Sequence, residues 1–149
     1  MLNELMTTAG ENLKGIPWTV HPRPQMKRNS YVNLNGQWNF SAEDYTGKIL
    51  VPFCPESLLS GLKLSITPGS FLFYRRALAL PPQCQGQVLL HIGAADQELV
   101  CYVNQKEVGV HKGIDAMTFD ITDALESVNE LLIHVTDDLR DLSVPYGKQ

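Results

Sequence analysis

Tyr31-Val32-Asn33-Leu34-Asn35-Gly36-Gln37-Trp38-Asn39-Phe40 is the stretch on which the reading of the fold turns. Tyr31, Asn33 and Asn35 fall on one side of a period-two alternation, and Val32 and Leu34 fall on the other. That spacing predicts a strand with one buried face. Asn35-Gly36 tolerates positive φ and marks a turn or bulge. Trp38 and Phe40 then start a second apolar alternation. With Phe73 they are expected to point inward and form the core.

Upstream, residues 1–30 are weakly periodic and broken by Gly10, Gly15, Pro17, Pro22 and Pro24. Residues preceding proline favour extended backbone, so an irregular arm is expected rather than a helix. Trp18 in this arm is a candidate interface residue. Downstream come short apolar runs separated by turn signals. Lys48–Val51 reads as a brief strand stopped by Pro52, and Ser57–Leu62 as one helical turn ended by Gly61. Phe71–Leu80, Gln87–Ile92 and Glu98–Val103 read as strands, the second of them apolar enough to be central. Lys106–Val110, Met117–Ile121 and Glu130–Thr136 follow, with Asp120 placed to cap a helical turn that carries Asp123 near its start. Many short strands without a long helix predict an all-β protein, an antiparallel β-sandwich, with residues 31–149 as one domain behind the arm of residues 1–30.

The chain has 149 residues, long enough to bury roughly 70% of its unfolded surface as one domain. Its net charge of −4 argues against a nucleic-acid partner, because phosphate binding needs a basic stripe. Arg23, Lys27 and Arg28 are too short a cluster to supply one. No apolar run approaches the 18 or so residues of a membrane span, so no membrane contact is expected. Glu4 stands where a signal peptide carries a base, and Cys54, Cys84 and Cys101 are odd in number and widely spaced. Reduced thiols in a cytoplasmic protein are therefore expected.

Landmarks along nearly the whole chain, from about Leu5 to Gln149, resemble the N-terminal domain of glycoside hydrolase family 2, the family of β-galactosidases and β-glucuronidases. They run in order through Asn33–Trp38, Val51-Pro52-Phe53, Phe73-Tyr74-Arg75-Arg76, Leu89–Ala94, Tyr102-Val103-Asn104, Phe119–Leu125 and Asn129-Glu130-Leu131. The resemblance implies a jelly-roll β-sandwich of the galactose-binding-domain-like type. It also implies a non-catalytic segment of a retaining glycoside hydrolase, followed in the parent by immunoglobulin-like and barrel domains. Asn104-Gln105 stands where relatives have Asn-Gly, so a longer or different turn is expected there. Ser65–Ser70 lacks the asparagine that β-galactosidases direct at the sugar. The family's domain closes with a further strand beyond Gln149, which predicts truncation before the last strand and self-association through an exposed sheet edge.

Retaining glycosidases need two carboxylates about 5 to 5.5 Å apart. In family 2 both are barrel glutamates, one of them preceded by asparagine. Asn3-Glu4 and Asn129-Glu130 match that pair but read as a terminus and a turn, so no catalytic residue is assigned to this segment and no turnover is expected of it. By resemblance Asp137 extends toward the substrate, where its carboxylate would accept from two sugar hydroxyls of the carbohydrate. Asp137 with Asp138 and Asp141 is alternatively a Ca²⁺ ligand set, or a solvated acidic loop after an edge strand. No metal or cofactor is assigned. Of Arg75 and Arg76, alternation sends one to solvent and the other toward a carboxylate. His91 and His134 read as surface or satisfied strand positions, and His21 and His111 have no ligand spacing. Two other functions stay open at this point. One is a free-standing carbohydrate-binding module, which needs an exposed aromatic platform. The other is a self-associating structural scaffold.

Overall fold

The computed structural model describes residues 5–21, 23–26, 29–82 and 84–138. Among these described residues eight strands make up the body: β1 (Gly36–Ala42), β2 (Tyr45–Val51), β3 (Phe71–Leu78), β4 (Leu89–Ile92), β5 (Glu98–Val103), β6 (Lys106–Lys112), β7 (Met117–Asp120) and β8 (Asn129–Thr136). Six form one sheet in the order β2-β1-β3-β8-β5-β6, and β4 with β7 forms a second; every adjacent pair is antiparallel. The two sheets share one core. Trp38, Phe40, Ile49, Leu72, Leu99, Val103 and Leu131 from the large sheet meet Leu90 and Met117 from the small one. Cys101, at 0% exposure, lies in the same cluster. This is an antiparallel β-sandwich of the jelly-roll type.

The alternation in β1 holds for Trp38 and Phe40, which are buried, whereas Gln37 and Asn39 are exposed. It fails just upstream: Tyr31–Asn35 is not a strand. The two asparagines there bond locally and to the arm instead of to a sheet. Asn33 Oδ1 accepts the Asn35 N–H at 2.8 Å, Asn33 Nδ2 donates to the Trp18 carbonyl at 2.6 Å, and Asn35 Nδ2 donates to the Pro17 carbonyl at 3.3 Å. Side-chain bonds of this kind compete with a ladder and win here. The strand begins only at Gly36, whose φ of 120° needs glycine. Among its described residues the arm is irregular apart from two short turns, the helical turn α1 (Thr8–Glu11), capped by Thr7, and a 3-10 turn at Pro24–Met26.

Three further expectations need correcting. Phe73 is not core: β3 buries Leu72 and Leu78, while Phe73 is 39% exposed on the opposite face, stacked on His134 with ring centroids 4.8 Å apart. The family-like Tyr74 takes the inward place, packed edge-on against Phe40. β4 is not central: among the described residues it pairs with β7 alone, and β8 rather than β4 runs through the middle of the large sheet. The β5–β6 turn is neither longer nor different in length. Val103 pairs with Lys106 across a two-residue hairpin, with φ of 51° at Asn104 and 67° at Gln105.

Strain at Gln105 is offset by what Asn104 does. Its Nδ2 donates to the Ala124 carbonyl and to Asn129 Oδ1, its Oδ1 accepts the Glu130 N–H at 2.9 Å, and its own N–H donates to the Glu130 carbonyl. Asn129, only 8% exposed, bonds both backbone groups of Glu126 in turn. The side-chain amides of Asn104 and Asn129 are thereby paired, which overrides the turn preference. Ser57 and Gly61 bracket the turn Leu58–Ser60 as their residue types require, Gly61 at φ 84°. The turn expected after Asp120 begins at Thr122, so Ile121 and not Asp120 holds the cap position, while the Asp120 carboxylate still accepts the Thr122 N–H.

Candidate functional site

Asp137 follows the last residue of β8 and lies at the end of the sandwich where three loops converge. Its carbonyl accepts the Gly69 N–H, tying it to the loop before β3. That loop is held from outside by Glu43, whose Oε1 accepts from the Thr67 N–H at 3.0 Å and the Ser70 hydroxyl at 2.7 Å. These donors, Ser70 first, keep the Glu43 carboxyl below its ordinary range. The loop before β5 closes in from the other side: the Gln97 N–H donates to the Thr136 carbonyl, and the Gly113 N–H donates to the Gln97 carbonyl.

Asp96 and Gln97 crowd Asp137. Gln97 is 5% exposed, and its Nε2 donates to the Asp138 carbonyl at 3.0 Å. Its Oε1 and the Asp96 Oδ2 are buried without a hydrogen-bond partner. Burial, then the negative charges of Asp96, Glu56 and Asp138, push the Asp137 carboxyl above its ordinary range. Burial alone does the same to Asp96. The arrangement concentrates acceptors and carboxylate charge, a surface that takes hydrogen-bond donors. β8 is flanked on both sides, by β3 and β5, so Asp137 does not follow an edge strand. Sequence reasoning singled out Asp137 and missed Asp96 and Gln97. Their one signal was a polar pair just ahead of a strand, which many solvated loops share.

The other candidates are dispersed. Glu130 is exposed within β8 rather than in a turn, 3.7 Å from Arg75. Arg76, on the inner side, bonds the carbonyls of Leu34 and Asn35 and lies over the Trp38 ring, so its partners among the described residues are carbonyls and not a carboxylate. His91 bonds the Thr118 hydroxyl, and His111 faces Asp115 at 3.1 Å. Trp18 is 68% exposed, in a left-handed backbone conformation, with its ring 5.8 Å from that of Phe53. Among the described residues no three histidine, cysteine or acidic side chains gather as a metal-ligand group, and no helix is long and apolar enough to cross a membrane. Asp141, Asn3-Glu4, Lys27 and Arg28 lie outside the described residues.

No family sequence model matches the chain, and no curated protein sequence does either. Solved structures do. A β-glucuronidase from Bifidobacterium dentium, complexed with coumarin-3-O-glucuronide, matches 83% of this chain with 23% identity and a TM-score of 0.59. A β-glucuronidase from Faecalibacterium prausnitzii matches 70% with 22% identity and a TM-score of 0.58, and a β-D-mannosidase from Dictyoglomus thermophilum 70% with 22% and 0.59. The chain spans only 22%, 20% and 15% of those three proteins. The resemblance read from the landmarks thus holds at the level of the fold: this chain carries a β-sandwich shared with one part of each of those glycosidases.

Proposed function

We propose that the chain is the non-catalytic N-terminal domain of a family 2 retaining glycoside hydrolase, with residues 1–30 as an arm packed on a jelly roll of residues 31–149. The observation that carries this reading is the partial match: one sandwich, aligned over most of its length with about a fifth of several glycosidases. In this reading the domain braces the barrel that holds both catalytic glutamates, and Asp137 reaches the carbohydrate. A carboxylate accepting from two sugar hydroxyls orients the ring, and its neighbours Asp96 and Gln97 add acceptors beside it. Neither Glu130 nor any other described carboxylate acts as a nucleophile.

Two measurements test the reading. The purified chain is expected to leave β-glucuronides, β-galactosides and β-mannosides intact at the buffer rate; turnover well above it overturns the non-catalytic assignment. Sequencing the source reading frame past codon 149 is expected to reveal a barrel pattern with an Asn-Glu acid/base and a second glutamate. A stop codon directly after Gln149 overturns the parent enzyme. The second reading, a free-standing carbohydrate-binding module, is favoured by one observation, the open Trp18 ring beside Phe53. Saturable quenching of Trp18 fluorescence by a monosaccharide glycoside, lost in Trp18→Ala, would establish it.

A further inference from the structure

The outer face of the six-stranded sheet carries a row of side chains that are exposed on β3 and β6 and half-buried on β8 and β5. Directly opposed residues of antiparallel neighbours project to the same side. The register therefore lines up Phe73 with His134, His134 with Val100, and Val100 with Val110, across β3, β8, β5 and β6. The next row is Arg75, Leu132, Tyr102 and Glu107 across the same strands. Phe71 is 57% exposed, Phe73 39% and Val110 52%. The two phenylalanine rings flank the His134 imidazole, with centroids 5.0 and 4.8 Å away. The Phe73 and His134 planes are nearly parallel at 11°, so these two rings face each other across neighbouring strands rather than lying flat as a platform for a sugar. A contiguous apolar stripe bounded by charges is the form of a protein contact surface.

The rows are self-complementary. A two-fold axis along the strands, midway between β8 and β5, exchanges β8 with β5 and β3 with β6. It sets Phe73 over Val110 of a second copy, His134 over Val100, and Leu132 over Tyr102. In the charged row it sets Arg75 over Glu107, opposite signs on both sides of the axis. Strand directions stay aligned under that rotation, which is the common way for two sheets to pack face to face. We propose that this face is an isologous contact through which two copies of the chain associate. The contact is independent of the glycosidase reading and uses no sheet edge.

Sedimentation of the chain across the micromolar range tests the proposal. The expected result is a concentration-dependent shift from the 16.6 kDa monomer to twice that mass. Val110→Glu, at an exposed position, is expected to weaken association at least about tenfold by placing a charge in the apolar row. Arg75→Glu and Glu107→Arg are each expected to weaken it, and the two together to restore it, a rescue that a mere loss of folding does not give. A monomer at every concentration overturns the proposal. So does a dimer indifferent to Val110→Glu, which points to edge pairing instead, and so does a double variant as weak as its singles. A monomer whose face binds a glycoside, lost in Phe73→Ala, assigns the stripe to carbohydrate and also overturns it.

Discussion

The two ends of strand β5 are built from the same kinds of side chain and to opposite effect. At its C-terminal end Asn104 and Asn129 form a closed polar network in which each amide bonds to backbone or to the other. At its N-terminal end Gln97 is as buried as Asn129, yet its Oε1 and the Asp96 Oδ2 beside it have no partner. A satisfied network specifies a turn; an unsatisfied one costs stability and persists where something other than stability is served. The contrast teaches that the sandwich is braced at the Asn104 end and left receptive at the Asp137 end. The receptive end is the one that the proposal above turns toward a carbohydrate.

Substitutions at the two ends break or sharpen that contrast. Asn104→Ala strips the Glu130 N–H and the Ala124 carbonyl of their partners and puts a methyl-bearing residue at positive φ, so thermal or denaturant unfolding should show a loss of about 3 kcal/mol. A loss near zero would mean the closed end braces nothing. Gln97→Met gives up one hydrogen bond but also removes an orphan oxygen at similar volume, and is expected to change stability by less than about 1 kcal/mol. A cost as large as that of Asn104→Ala would erase the distinction between the ends. The smallest effect is expected for Asp96→Asn and is read through its pH dependence. Burial raises the Asp96 carboxyl above its ordinary 3.8, so the native state holds that proton more firmly than the unfolded chain. Its stabilising share is full below 3.8 and is lost as pH rises through the folded value. At neutral pH the ionised group is a cost, so the variant should be the more stable protein there, with its advantage shrinking as the pH is lowered toward 4. His134, held low by burial, pulls the other way in both proteins and cancels in the difference.

Much of the fold could be read from local chemistry. Ser57 and Gly61 announced their turn, and the alternation of Trp38 and Phe40 announced β1, because each signal rests on one residue's own geometry. What escaped depended on partners far along the chain. Nothing within Asn104-Gln105 says that Ala124 and Glu130 will hold a strained turn in place. Period two shows that Leu72 and Phe73 lie on opposite faces of β3, but not which face is covered; Tyr74 on Phe40 decided that. The candidate site was half legible. Asp137 came from a resemblance, whereas Asp96 and Gln97 acquire meaning only once β5 and β8 are paired.

Cys101 has a use that follows from its place in the chain's interior. It sits with no exposure on β5, between β8 and β6, and burial pushes its thiol up to about 12. Only a thiolate reacts with alkylating reagents, so the native molecule shields this sulfur twice, by access and by protonation. Each alkylation of Cys101 then records one opening of the large sheet, while the exposed Cys54 reacts at once and marks the start of counting. The chain thus contains its own clock for rare excursions from the native state, readable by mass spectrometry of the alkylated thiol without any engineered probe.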